Sequence, residues 1–338
     1  MRILAIDTSC DETSVAVTED SKVLSNVVWS QASAHAKFGG VMPSLAKRMH
    51  EERIDWVMQK ALGTRNLAQE IDAIAVTVGP GLSIALGVGI NKAKELSIKY
   101  KKPLIAANHL EGHLLSPFVN SGVKIQDLKF PALGLVISGG NTVLVKINKI
   151  GSYEILAQTT DDALGEALDK AARMLGLGYP GGAILEKMAG KGNPGKYRVP
   201  IPIVGQEKRM IFTYSGIKTS FLRLVESEKP LTKNKIHNLT ASFQNSAFTH
   251  IERVLRFYLD NQNSQAVKHL LVGGGVSANV EIRKRLRKLS NSYSIKVLFP
   301  NSKKLYGDNA GMVGVAACLN QNFIDPKNID RKPNLKLA

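Results

Sequence analysis

Twice in this chain an apolar run, a polar or glycine-rich turn and a second β-branched run follow one another. The first instance is ILAIDTSCDETSVAVT at 3–18 and the second is ALGLVISGGNTVLVKI at 132–147. Each reads as a β-hairpin, the first with an exposed polar tip from Asp7 to Thr13, the second turning through Ser138-Gly139-Gly140-Asn141-Thr142. Two such hairpins so far apart suggest an internal duplication. At 338 residues the chain is also long enough for two domains, because single cores stop growing near about 250 to 300 residues.

Between the hairpins the pattern alternates. A helix of the Ala46 to Leu62 type leads to a strand at 73–78, a loop, a helix through Lys99 and a strand at 104–107. After the second hairpin come a helix at 164–175, a loop rich in Gly and Pro at 176–202, and helices near 236–261. A strand at 269–272 then runs into Gly273-Gly274-Gly275 and a basic helix, a junction that brings backbone amides close to an anion. A tight turn would explain the triple glycine as well. The longest uncharged stretch, 73–91, is interrupted by Gly79-Pro80-Gly81, so no membrane span is expected.

The segment Asn108-His109-Leu110-Glu111-Gly112-His113 holds two of only seven histidines. At i and i+4 of a helix their Cβ atoms stand about 6 Å apart, close enough to grip one divalent ion. Two surface or core histidines would give the same spacing. The order differs from the protease signature HExxH: Leu110 follows the first histidine, and Glu111 at i+2 points off the ligand face.

Charge narrows the partners. The formal net charge is +17, with basic runs at Arg283, Lys284, Arg285, Arg287 and Lys288 and at Lys92, Lys94, Lys99, Lys101 and Lys102. Such a balance points to a polyanion, nucleic acid first, although either run alone could be a solvated helix face. Cys10 and Cys318 give no disulfide framework, and Met1 to Ile6 reads as a strand rather than a signal, so a cytoplasmic protein is expected.

The segments IDTSCDET, GGVMPSLAKRMH, TVGPGL, NHLEGHLLSP, VISGGNT, DDALGEALDKAARMLGLGYPGG, GGGVSAN and YGDNAGM occur in that order. Together they resemble the TsaD family of tRNA N6-adenosine threonylcarbamoyltransferases, once called glycoproteases, from Met1 to about Leu319. The resemblance implies an α/β protein of two actin-like domains (the ASKHA, sugar-kinase type) with an interdomain cleft. The domains would be 1–125, completed by a C-terminal helix at about 309–325, and 126–308, followed by a basic tail at 326–338.

It further implies one divalent metal ion per subunit, iron or alternatively zinc, held by His109, His113 and Asp308. Taken alone, Asp308 would read as the N-cap of a helix from Asn309 to Leu319. Val136, Ile137, Ser138, Gly139 and Gly140 would bind threonylcarbamoyl-AMP. Asp169 would take the ribose, Gly182 would allow close backbone approach, and Asn279 would lie on the adenine side, although Asn279 also reads as a helix N-cap. The implied partners are tRNA, an inactive TsaB-like paralogue forming a heterodimer, and a TsaE-like ATPase. Neither basic run belongs to the family's motifs, and Asn141, Ser44 and Gly307 depart from them. Glu12 or Asp11 could take the proton of the attacking amine, or simply build the turn. A metallopeptidase, a small-molecule kinase or ATPase on the same fold, and a noncatalytic scaffold are the alternatives.

Overall fold

The computed structural model describes residues 1–261 and 267–337, and they divide into two compact units. Unit 1 comprises 1–128, 149–153 and 299–338; unit 2 comprises 129–148 and 154–298. Residue 338, the end of the expected tail, lies outside the described residues.

Unit 1 begins with the strands β1 (Arg2–Asp7), β2 (Glu12–Glu19) and β3 (Lys22–Ser30) and the helices α1 (Ala32–Ala36), α2 (Pro43–Leu62) and α3 (Leu67–Glu70). It continues through β4 (Ala73–Gly79), α4 (Ser83–Tyr100), β5 (Leu104–Asn108) and α5 (His109–Leu115). Unit 2 holds β6 (Ala132–Ile137), β7 (Thr142–Lys149), β8 (Ser152–Thr159), α6 (Leu164–Met174), α7 (Gly182–Ala189) and β9 (Ile211–Phe212). Its remaining elements are α8 (Ser215–Ser227), α9 (Lys233–Asn261), β10 (His269–Gly273), α10 (Val280–Ser292) and β11 (Lys296–Leu298). The chain then returns to unit 1 with α11 (Ala310–Leu319) and β12 (Phe323–Ile324).

The two sheets share one plan. In unit 1 the order is β12-β5-β4-β1-β2-β3, and in unit 2 it is β11-β10-β6-β7-β8-β9. In each, an antiparallel hairpin begins the sheet, and its first strand pairs in parallel with a later strand on the other side: β1 with β4, β6 with β10.

Alternation along the strands of unit 1 explains why both faces are dry. Leu4, Ile6, Val15, Val17, Ile74 and Val76 pack with Ile54 and Val57 of α2 and Leu86 and Ile90 of α4. Ile3, Ala5, Ala16, Ala73 and Ala75 face the other way, onto Ala310, Met312, Val313 and Ala317 of α11. Small residues on that face bring α11 close; a Cβ at Gly314 would meet the Thr18 side chain at 2.6 Å. Pro43 sits at the first helical position of α2, where its missing N–H costs nothing.

Two expectations need correction, on the first hairpin tip and on the stretch 176–202. The tip of the first hairpin is buried: Thr8 and Ser9 are 1% and 2% exposed. The Thr8 hydroxyl donates to Ala85 O and accepts the Gly89 amide, so this buried hydroxyl is satisfied inside the protein. The Gly- and Pro-rich stretch 176–202 contains a helix, α7. Residues 326–337 pack against unit 1: Ile329 and Leu337 are 1% and 2% exposed. Lys332 N donates to Val78 O, and Gly81 N donates to Pro333 O.

Candidate metal centre and glycine turn

The metal candidates assemble within unit 1. Asn108 ends β5 in an extended conformation and caps α5, its side-chain oxygen accepting the Leu110 amide at 2.9 Å. That starts the helix at His109 and puts His113 one turn later on the same face. The two rings stand 4.7 Å apart, edge to face, and both side chains are buried.

Asp308 arrives just before α11. Asn309, not Asp308, is the N-cap: its side chain accepts the Met312 amide at 3.0 Å. Asp308 Oδ1 lies 3.0 Å from His113 Nε2 and 3.5 Å from His109 Nε2. One potential ligand atom from each residue lies within 4.8 Å of the others. Ligand atoms on one small ion at about 2.1 Å sit roughly 3.0 to 3.4 Å apart, so these separations fit a site of two imidazoles and one carboxylate that leaves other positions open.

Electrostatics agree with that fit. Burial opposes the charged form of His109, but the Asp308 and Asp7 carboxylates outweigh it and hold the imidazole well above its usual value. Burial likewise opposes ionisation of Asp308, and the two imidazoles overcome it, holding the carboxyl well below the usual range. A cation is what the cluster favours. Burial first, and then the Asp308 and Asp11 carboxylates, push Glu12 well above an ordinary carboxylate.

Glu111 faces away from the ligands, as its phase predicts. Its Oε1 accepts from Tyr153 Oη at 2.5 Å and from Asn320 Nδ2 at 2.9 Å. Asn320 is the C-cap residue of α11, so this carboxyl ties α5 to the far end of the helix that Asp308 precedes. At Gly112 an added Cβ would meet Met312 Cγ at 3.2 Å, so a glycine lets the two helices approach. Asp7, Ser9, Tyr153 and Asn320 escaped sequence reasoning; Asp7 and Ser9 lie in the quoted IDTSCDET segment but read as a turn.

The expected substrate residues Val136 to Gly140 lie in the hairpin of unit 2, and Asp169, Gly182 and Asn279 lie elsewhere in the same unit. Ser138 N donates to Asn141 O and Asn141 N to Ser138 Oγ, closing the turn. A Cβ at Gly139 or Gly140 would meet nothing within 4 Å, whereas at Gly165, in the first turn of α6, it would meet Ser138 O at 2.5 Å. The turn is thus packed beneath and open above. Val136 and Ile137 have fully buried side chains and form its floor. Gly274 (φ 90°) abuts the carbonyl of Ile137.

Asp169 Oδ1 accepts both the Gly181 and Gly182 amides at 2.8 Å, fixing the YPGG turn against α6. Asn279 caps α10 by accepting the Glu281 and Ile282 amides, and its Nδ2 donates to Gln244. Its side chain is 6% exposed.

The basic runs are less uniform than they look in sequence. Arg285 donates to Glu281, Glu252, Thr249 and Asn245, locking α10 onto α9. Lys92 pairs with Asp55 and Glu95. Lys284 and Lys288 on α10 are exposed. Among the described residues, no helix is long and apolar enough to cross a membrane.

Two sheets of this order define an α/β fold of the actin-like, sugar-kinase type. A solved structure of full-length HypF, in a phosphate- and nucleotide-bound form, matches with a TM-score of 0.58 at 14% identity, over 95% of this chain and 55% of that one. Within that class the sequence is specific: residues 22–315 match the model of TsaD, tRNA N6-adenosine threonylcarbamoyltransferase. Proteins of that name from Trichlorobacter lovleyi and Clostridium kluyveri are each 42% identical. The former aligns over 94% of this chain and 90% of its own length, the latter over 100% and 98%. The chain belongs to the tRNA N6-adenosine threonylcarbamoyltransferase family and is a transferase.

Proposed function

We propose that this protein transfers the threonylcarbamoyl group of threonylcarbamoyl-AMP to the exocyclic amine of the adenosine beside the anticodon, in tRNAs reading codons that begin with A. The observation that carries the metal-dependent form of this reading is the convergence of His109, His113 and Asp308 on one point.

In the reaction the amine nitrogen attacks the carbamoyl carbon. A C–N bond forms, the mixed-anhydride C–O bond breaks, AMP departs with the electron pair, and the amine loses a proton. No protein nucleophile is needed. Val136, Ile137, Ser138, Gly139 and Gly140 form the adenylate turn, whose open glycines let backbone amides meet the phosphate. Asp169, held by two amides, takes the ribose, and the 279 region borders the adenine. Glu12 and Asp11 of the first hairpin are the candidates to take the proton. His109, His113 and Asp308 would hold iron or zinc; when bound, the ion supplies Lewis acidity toward an oxygen entering its open positions.

The +17 charge suits a tRNA substrate, with Lys284 and Lys288 as candidate phosphate contacts. A TsaB-like paralogue and a TsaE-like ATPase are the proposed protein partners, in the cytoplasm. The test is transfer of labelled threonylcarbamate to tRNA with all partners present, comparing wild type and His109→Ala alongside metal analysis. Loss of product and of bound metal in the variant is expected; no product from the wild type would overturn the reading.

A further inference from the structure

We infer that Asp7 is a positioning residue for the metal centre, selecting the tautomer of His109 that presents Nε2 to the ion. This rests on the reading of His109, His113 and Asp308 as metal ligands.

Both histidines direct Nε2 at Asp308, so an ion in the cluster takes Nε2 of His109 and the proton must sit on Nδ1. Two groups face that Nδ1: Ser9 Oγ at 3.1 Å and Asp7 Oδ2 at 3.4 Å. They are not equivalent. A hydroxyl can donate or accept and serves either tautomer, whereas an ionised carboxylate only accepts and serves only the one with hydrogen on Nδ1. Asp7 therefore decides.

The setting sharpens this. Asp7 is 1% exposed, its Oδ1 accepts the Ser9 amide at 3.2 Å, and Oδ2 is a buried oxygen with no hydrogen bond. A buried carboxylate oxygen left this way is costly unless a polarised N–H is brought to it. Metal binding at Nε2 does that, because it makes Nδ1–H a stronger donor. His113 has no counterpart: its Nδ1 is buried without a hydrogen-bond partner. The charged support is on one ligand only.

Asp7→Asn keeps the shape but can offer its amide N–H to Nδ1, favouring the opposite tautomer. Zn2+ and Co2+ affinities of the full-length chain, measured against a competing chelator, should fall about ten- to a hundredfold in Asp7→Asn. Ser9→Ala should stay within about threefold, since the carboxylate remains. In a His109→Ala background the further Asp7→Asn change should have no added effect. Equal affinity for wild type and Asp7→Asn overturns the inference, and so does a loss confined to Ser9→Ala. Failure of the wild type to bind either ion removes the metal reading itself. Should Asp7→Asn not fold, 15N spectra of the zinc-loaded wild type give the answer: a protonated Nδ1 on His109 is expected, and a metal-bound Nδ1 overturns the inference.

Discussion

The Asn309 side chain accepts the Met312 amide at 3.0 Å, and this leaves the neighbouring Asp308 outside the helix, where its carboxylate meets His113. Asn309 also donates to Gly307 O at 2.9 Å, so one side chain fixes the backbone on both sides of the acid. Asn309→Ala should lower stability by about 1–2 kcal/mol and weaken metal binding as Asp308 loses its anchor. Asn309→Ser should recover most of the stability, having restored only the cap. Denaturant unfolding without metal, paired with metal titration, separates the two effects.

Gly112 and Met312 set the spacing between α5, which carries the two histidines, and α11, which Asp308 precedes. Met312 is fully buried and has little room to yield. Gly112→Val should destabilise by about 1–3 kcal/mol through overpacking, and Met312→Ala in the same chain should relieve part of that. Thermal unfolding of the single and double variants checks it.

His250 gives unit 2 a defined pH response. It is 1% exposed, its Nε2 accepts the Thr213 amide, and burial takes its pKa from 6.5 down to about 4. Below pH 6.5 the unfolded chain binds a proton here that the folded chain refuses until about pH 4. Stability from this residue is therefore complete above pH 6.5 and is lost as pH falls through that window, to a limit of about 3 kcal/mol. His250→Gln should be less stable at pH 7 yet show a flatter decline between about pH 6.5 and 4, read by urea midpoints at each pH.

The basic helix α10 divides into two kinds of residue. Reversing Lys284 and Lys288 to Glu should weaken tRNA binding and reduce the salt slope by about 1–2, with unfolding unchanged. Arg285→Ala should instead lower stability by about 1–2 kcal/mol, because it strands Glu281 and Glu252. Binding isotherms at several salt concentrations, beside melting curves, distinguish them.

Legibility in the sequence followed locality. The His109–His113 spacing, the outward phase of Glu111 and the second hairpin are short-range patterns, and the structure keeps them. Asp308 alone read as a cap, because the sequence cannot say which of two adjacent cap formers is used; Asn309 takes that part. The first hairpin tip read as exposed because its residues are polar, yet its partners Ala85, Gly89 and His109 are distant in sequence. Helix α7 hid among glycines and prolines that mark its ends, Gly181 before and Gly190 after. Arg285 looked like surface charge until the carboxylates of Glu252 and Glu281 were seen around it.

The packing of residues 299–337 onto unit 1 has a consequence for biosynthesis. Ile329 enters the same core as Leu4 and Val76, Lys336 O accepts from the cap residue Asn108, and Asp308 joins histidines made some two hundred positions earlier. The unit begun first on the ribosome is thus the last to be finished. Unit 2 is contiguous enough to collapse as it emerges, whereas the N-terminal sheet waits for the final segment before α11 covers its second face. A nascent chain thus carries the two histidines long before Asp308 is made, and the three candidate ligands come together only after that residue has been added.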